Sequence, residues 1–460
     1  MSLQEQLCQL YRANQYEDIC ALYDRSPEGD DALTSEWDYV FVMNSLCKQQ
    51  RYQDGLALYK SFVKKFPKND KLDNKMGWCV YYQFVKPFNF AGREAEADNR
   101  KKVEYVLNRV KDGKYAPIWK IVYHVTKGIL HRQIIHREDY SRCSWYLECV
   151  DRSALNQEEG VRKDDGKSFS SDYEMWLSQK TKCLMALQAY NDCIRLCDEG
   201  LRTVPSFHGN TDSWLRARKA YCLLQIGRIE EAKDSAAEIL DRGFNNWNIY
   251  ALLFDIAAAG GETREAMKYA GYCALADAHH EMRVNFYVKY AAFLDAQDSQ
   301  ELAEKAMLHR RLAVLLREER DWRIKCEDRQ GISDEVKAFG KNEVLFALRR
   351  FWETHRDFGK NYVSGTIARI VPEKKHGWVQ DEKGREYYFR FRDAGGPRNC
   401  LQAGNNVLFV IGKRMDPKSG KLKECAVEVK VLSNRGAREP RIVPQSNTRI
   451  GLLKGVELNG

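Results

Sequence analysis

Residues 212–245 read DSWLRARKAYCLLQIGRIEEAKDSAAEILDRGFN. Apolar and small residues recur every three or four positions on both sides of Gly227, which predicts two helices joined by a tight turn. The pattern returns one period later, with Gly261 and Ala266 lying 34 residues beyond Gly227 and Ala232. A repeated helical pair predicts a stacked array, because one pair cannot bury its apolar face alone. Earlier in the chain, Tyr190, Cys193, Cys197 and Pro205 take the places of Ile229, Ala232, Ala236 and Phe244. So do Tyr52, Gly55, Tyr59 and Pro67, and more loosely Tyr16, Ile19 and Tyr23.

This small–aromatic–proline pattern at a 34-residue step resembles the tetratricopeptide repeat. The resemblance covers residues 1–310 in patches and is clearest over 213–280. Residues 77–175 diverge, with longer helices and an exposed loop expected at 156–172. The aromatic cluster GWCVYYQF at 77–84 reads as one buried helix, with a ligand pocket as the alternative. The resemblance implies a solenoid whose concave face holds a peptide or another protein. Residues 311–358 read as a helical capping or linker region. Charge-rich stretches within 299–358, such as EKAMLHRRLAVLLREERDWR, suggest a solvated face or a capping helix rather than a nucleic-acid patch.

A chain of 460 residues exceeds one compact domain, and its 44% hydrophobic content is enough to build cores. No apolar run approaches the ~20 residues that span a bilayer, and Met1–Leu10 lacks the order of a signal peptide. The expectation is a soluble, cytoplasmic protein with no membrane partner. The 14 cysteines show no metal-ligand spacing, so they read as free buried thiols. Charge is distributed unevenly. From Gly359 onward there are 20 Lys and Arg against 10 Asp and Glu, leaving 54 against 55 in residues 1–358. The excess cations therefore mark an anion-binding module on a near-neutral body.

From Val363 the periodicity changes from helical to alternating. VSGTIARIV, HGWVQD, EYYFRF, NNVLFVIG and ECAVEVKVL predict five strands separated by turn signals. Five short antiparallel strands suit an OB-type barrel. The fold class is thus multidomain α + β: a helical array over 1–310, the capping region 311–358, a small five-stranded barrel over 359–433, and a basic tail, 434–460. Within the barrel, residues 374–391 read KKHGWVQDEKGREYYFRF, interleaving rings with cations. Alternation places His376, Trp378 and Gln380 on one face, joined by Tyr388 and Arg390 from the next strand, with Tyr387 and Phe389 inward.

This segment resembles a cold-shock domain. GTIARIVPEKKHGWVQDEKGREYYFRF tracks the first three strands of that family, LQAGNNVLFVI the approach to the fourth, and AVEVKVL the last. The family's Lys-Gly-Phe-Gly-Phe-Ile motif falls on Lys374, Lys375, His376, Gly377, Trp378 and Val379. Its Val-Phe-Val-His-Phe motif falls on Tyr387, Tyr388, Phe389, Arg390 and Phe391. Arg369 stands where the family has an exposed Trp. The resemblance implies binding of single-stranded RNA or DNA by Arg369, Lys374, Lys375, His376, Trp378, Gln380, Tyr388, Arg390, Phe391 and Arg392. Rings stack on bases and cations follow phosphates.

No phosphate-binding, zinc-protease, nucleophile-elbow or dinucleotide signature occurs. No enzyme activity, metal or cofactor is expected. Arg350 precedes His355 by five residues, a spacing that resembles the motif of helical HEPN ribonucleases and keeps a nuclease as one alternative. The other is a scaffold whose barrel is a protein-docking module. The leading expectation is a nucleic-acid-binding adaptor that recruits a protein partner through its repeats, acting alone or within a larger assembly.

Overall fold

The computed structural model describes residues 2–110, 116–161, 166–244, 246–395, 401–415 and 422–432. The chain divides into two compact units, Met1–Arg356 and Asp357–Gly460. Residues 434–460, expected to form a basic tail, lie outside the described residues.

The first unit is helical. It begins α1 (Leu3–Arg12), α2 (Tyr16–Asp24), α3 (Glu36–Lys48) and α4 (Tyr52–Lys65). A less regular section follows: α5 (Asp70–Val80), a π-helical turn at Tyr81–Val85, α6 (Arg93–Arg109), α7 (Ala116–Leu130) and α8 (Arg137–Glu148). Within the loop expected at 156–172, a short antiparallel pair forms, β1 (Gly160–Val161) with β2 (Ser168–Phe169). Regular pairs then resume as α9 (Asp172–Ala186), α10 (Tyr190–Thr203), α11 (Thr211–Gln225), α12 (Ile229–Asp241), α13 (Trp247–Ala259), α14 (Thr263–Leu275), α15 (Val284–Asp295) and α16 (Gln300–Glu319). The unit ends with α17 (Cys326–Arg329), α18 (Asp334–Lys337) and α19 (Lys341–Arg356).

One turn geometry recurs. Two residues before the second helix of six pairs, the chain is left-handed: Asn14 (φ 57), Gln50 (φ 59), Gln188 (φ 65), Gly227 (φ 78), Gly261 (φ 72) and Asp298 (φ 47). In five of these turns the next residue's N–H reaches back to a carbonyl of the first helix. Arg51 bonds Leu46 at 2.8 Å, and Arg228 bonds Leu223 at 2.9 Å. This is the Schellman closure, which satisfies carbonyls that a helix end leaves open. Three residues into the second helices, the small residues Gly55, Cys193, Ala232 and Ala266 are buried and allow the helices to close, while the first pair buries the larger Ile19 at the same place.

The array does not stop at residue 310, which lies inside α16. Helix α19 packs on α14 and α16, and the backbone of Trp352 and Arg356 presses on Gly271 so closely that a Cβ there would sit 2.6 Å from the Trp352 carbonyl. The solvated face expected on α16 is therefore partly a core: Lys305, His309 and Arg317 are buried. Arg317 forms an ion pair with Asp328 at 2.8 Å and donates to Asn285 Oδ1 at 2.9 Å, and His309 bonds Lys305 O and Trp352. No described helix is long and apolar enough to cross a membrane.

The second unit is a closed barrel. Its strands are β3 (Tyr362–Val371), β4 (His376–Asp381), β5 (Glu386–Arg390), the two-residue β6 (Ala394–Gly395), β7 (Asn406–Met415) and β8 (Leu422–Val431). The order β5-β4-β3-β7-β8 closes through a β5–β8 pairing at Tyr388 and Cys425. That pairing is parallel, as is β6 with β8, so the sheet is mixed rather than wholly antiparallel as expected. The reason is geometric. Antiparallel neighbours alternate in direction, so with five long strands the two at the seam must run the same way. Ile367, Val379, Tyr387, Phe389, Val407, Phe409, Ala426 and Val429 fill the interior.

Candidate nucleic-acid interface

Strand β4 alternates strictly: Gly377 and Val379 are buried, while His376, Trp378 and Gln380 are half-exposed. Strand β5 does the same, with Tyr387 and Phe389 inside and Tyr388 and Arg390 outside. Gly377 is required where it stands. A Cβ there would lie 2.7 Å from the Arg369 carbonyl and 2.7 Å from the Phe389 ring. The β4–β5 turn is held by Asp381, whose carboxylate accepts from the N–H of Lys383 (3.0 Å) and Arg385 (2.8 Å), with Gly384 left-handed at φ 79.

Register brings the outer residues together. Trp378 pairs with Tyr388 and His376 with Arg390 across β4 and β5. A bulge at Ala368 on β3 sets Arg369 opposite Trp378. The His376 and Trp378 ring centres are 5.0 Å apart, His376 and Tyr388 5.2 Å, and Trp378 and Tyr388 5.7 Å. The Arg369 guanidinium lies over the indole, 3.9 Å from its centre, and reaches Glu386 at 3.3 Å. His376 Nδ1 sits 3.3 Å from the Lys374 carbonyl. Gln380 donates to Gly384 O at 3.2 Å, which ties its amide to the turn at one end of the face.

The cations differ in their partners. Lys374 and Lys375 are exposed on the turn before β4, Lys375 in a left-handed conformation (φ 52). Neither they nor Arg385 or Arg390 belongs to an ion pair among the described residues, so their charge is available to an anion. By contrast, Lys360 and Lys430 are neutralised, Lys360 by Glu428 (2.6 Å) and Lys430 by Asp357 (2.7 Å). Arg414 forks onto Asp393 at 2.9 and 3.1 Å.

Phe391 does not join the rings. The chain leaves β5 after Arg390 for a 3₁₀ turn, Phe391–Asp393, and the Phe391 ring packs against the barrel core, 6.4 Å from Phe389. The Arg392 side chain lies outside the described residues. Sequence reasoning passed over Glu386, whose place on the outer face follows from the same alternation as Tyr388.

In the helical unit, Arg350 and His355 both lie on α19, but at about 100° per residue five positions set them about 140° apart. Arg350 is exposed, whereas His355 turns its Nδ1 to Phe351 O at 2.8 Å and packs its ring 4.4 Å from that of Phe351. They do not converge on one site.

No family model matches the chain, and no curated protein matches its sequence.

Proposed function

We propose that the barrel binds single-stranded RNA or DNA on its β3–β4–β5 face, in the manner of a cold-shock domain, and that the helical unit, a tetratricopeptide-like array, recruits a protein partner. The observation that carries this reading is the cluster of His376, Trp378 and Tyr388 within 5.0–5.7 Å of one another on the solvent side of two paired strands. Rings in the solvent of a folded domain lose the burial that usually justifies them. Flat rings beside unpaired cations match the two chemistries of a single strand, its base faces and its phosphates.

The test is a fluorescence titration of the full chain with labelled single-stranded and duplex oligonucleotides. Single strands should bind more tightly than duplex, because duplex bases are not free to stack. Trp378→Ala and Tyr388→Ala should each cost about 1–3 kcal/mol, a loss of about five- to 150-fold. If both variants bind like the wild type, the face serves another purpose and the docking-module reading takes its place.

A further inference from the structure

Cys47 and Cys79 come from α3 and α5, the first helices of successive segments, and their sulfurs lie 3.4 Å apart. Cys79 is fully buried, but Cys47 is half-buried and lines a cavity of about 260 Å³ together with Lys48, Tyr52, Lys75, Trp78 and Tyr82. The aromatic wall is preformed: Tyr52 stacks on Tyr82 at 4.9 Å and 14°, and Trp78 on Tyr82 at 5.8 Å and 24°. Among the described residues, neither Lys48 nor Lys75 has a carboxylate partner. Gly55 makes room for the buried sulfur, since a Cβ there would stand 3.1 Å from Cys79 Sγ.

We propose that this pair is a two-thiol redox site, in which Cys47 reacts with a small hydroperoxide entering the cavity and Cys79 resolves the product to a disulfide. The Cys47 thiolate attacks the terminal peroxide oxygen. An S–O bond forms, the O–O bond breaks, and the departing hydroxide or alkoxide takes a proton. The Cys79 sulfur then attacks the Cys47 sulfenic acid; the S–S bond forms, the S–O bond breaks, and hydroxide leaves with the Cys79 proton as water. Two thiols lose two electrons and the peroxide gains them.

The division of roles follows from the surroundings. A hydrogen bond from Cys79 and the Lys75 ammonium hold the Cys47 thiol below its usual range, against the opposing effect of burial. The same hydrogen bond and burial push Cys79 up, and because Cys47 lines the cavity while Cys79 is sealed behind it, Cys47 is the sulfur that meets the peroxide. Closing the bond requires the sulfurs to approach from 3.4 Å to about 2.05 Å. Cys47 is in the last turn of α3, just before the left-handed Gln50, where the helix end has least to hold it. Among the described residues, the other close thiols cannot compete. Cys143 with Cys183, and Cys193 with Cys197 and Cys222, are wholly buried. Cys326 is exposed, on a helix with no thiol beside it in sequence.

The disulfide would also fix the spacing of α3 and α5, which wall an adjoining cavity of about 320 Å³ lined by Tyr11, Asn44, Lys71 and Lys75.

The experiment treats the reduced full chain with hydrogen peroxide, alkylates remaining thiols under denaturing conditions, and maps the peptides by mass. A Cys47–Cys79 disulfide should appear first, at a rate on the order of tenfold above oxidation of Cys326. Cys79→Ser should leave Cys47 as a sulfenic acid that a dimedone probe labels, and Cys47→Ser should abolish both products. Should either variant fold poorly, the wild-type map decides alone. Oxidation of Cys47 no faster than Cys326, or a first disulfide elsewhere, overturns the proposal.

Discussion

The Arg369 guanidinium rests on the Trp378 indole at 3.9 Å while its outer edge touches the Glu386 carboxylate at 3.3 Å. One face of the most extended ring on the platform is therefore covered by the protein's own cation. Glu386 also places a negative charge where phosphates would pass. Glu386→Gln should tighten single-strand binding by about 1.4- to fivefold, matching the ~0.2–1 kcal/mol of an exposed ion pair. Arg369→Ala should weaken it, because the cation is lost together with its cation–π contact. Equilibrium titrations of both variants check the opposite signs.

Salt separates stacking from charge. Affinity should fall with a slope of about −0.7 per phosphate neutralised on a single strand. Replacing Lys374 and Lys375 together by Ala should flatten that slope, as should deleting residues 434–460, which carry five Lys and Arg. Trp378→Ala should lower affinity with the slope unchanged, since a stacked ring releases no counterion. Titrations at several salt concentrations read both quantities.

The left-handed turns predict gains in stability. Gln50 and Gln188 hold φ 59 and φ 65, a conformation that costs a residue with a Cβ about 1 kcal/mol relative to Gly. Gln50→Gly and Gln188→Gly should each stabilise the helical unit by up to that amount, less the freedom Gly adds to the unfolded chain. Gly227→Ala and Gly261→Ala should destabilise it by about 1 kcal/mol. Unfolding followed by far-ultraviolet circular dichroism reports the shifts.

Low pH should loosen the end of the array. His309 accepts from Trp352 Nε1 at 2.8 Å and faces Lys305 O through Nδ1 at 2.7 Å, so the neutral ring satisfies both partners. Burial holds its pKa down at about 3, and burial followed by Arg283 holds His280 at about 4. Unfolded imidazole titrates near 6.5, so the unfolded chain binds these protons first. Their contribution is complete above pH about 6.5 and is lost as pH falls toward the folded values. For His309 the slope is about 1.4 kcal/mol per pH unit. His309→Gln should flatten the fall in melting temperature between pH 6 and pH 4.

Much of this architecture was legible because local signals carried it. Gly227 and Gly261 announce the turn because glycine is the usual left-handed residue. Asn14, Gln50, Gln188 and Asp298 adopt the same turn without announcing it, so the weaker pairs had to be read from helix faces alone. Charge misled where it was buried. Arg132 lies inside, bonded to Glu96 at 2.6 Å and Asp139 at 3.2 Å, and nothing in its neighbours distinguishes it from a surface arginine. On the platform, period-two alternation placed His376, Trp378, Tyr388 and Arg390 on the outer face. Phe391 was counted with the binding residues through the cold-shock resemblance alone; the same alternation sets it inward with Tyr387 and Phe389, where its ring packs on the core. The parallel seam left no trace either, since it joins strands more than thirty residues apart.

That seam sets an order of events during synthesis. Tyr388 belongs to a strand whose outer partner, around Cys425, is made later, so one edge of the platform stays open until β8 has left the ribosome. The helical repeats, built from neighbours in sequence, can form as they emerge. A nascent chain that has emerged past residue 391 but not yet past residue 422 would therefore display folded repeats and an incomplete barrel, whose exposed strand edge and rings would invite chaperones before nucleic acid.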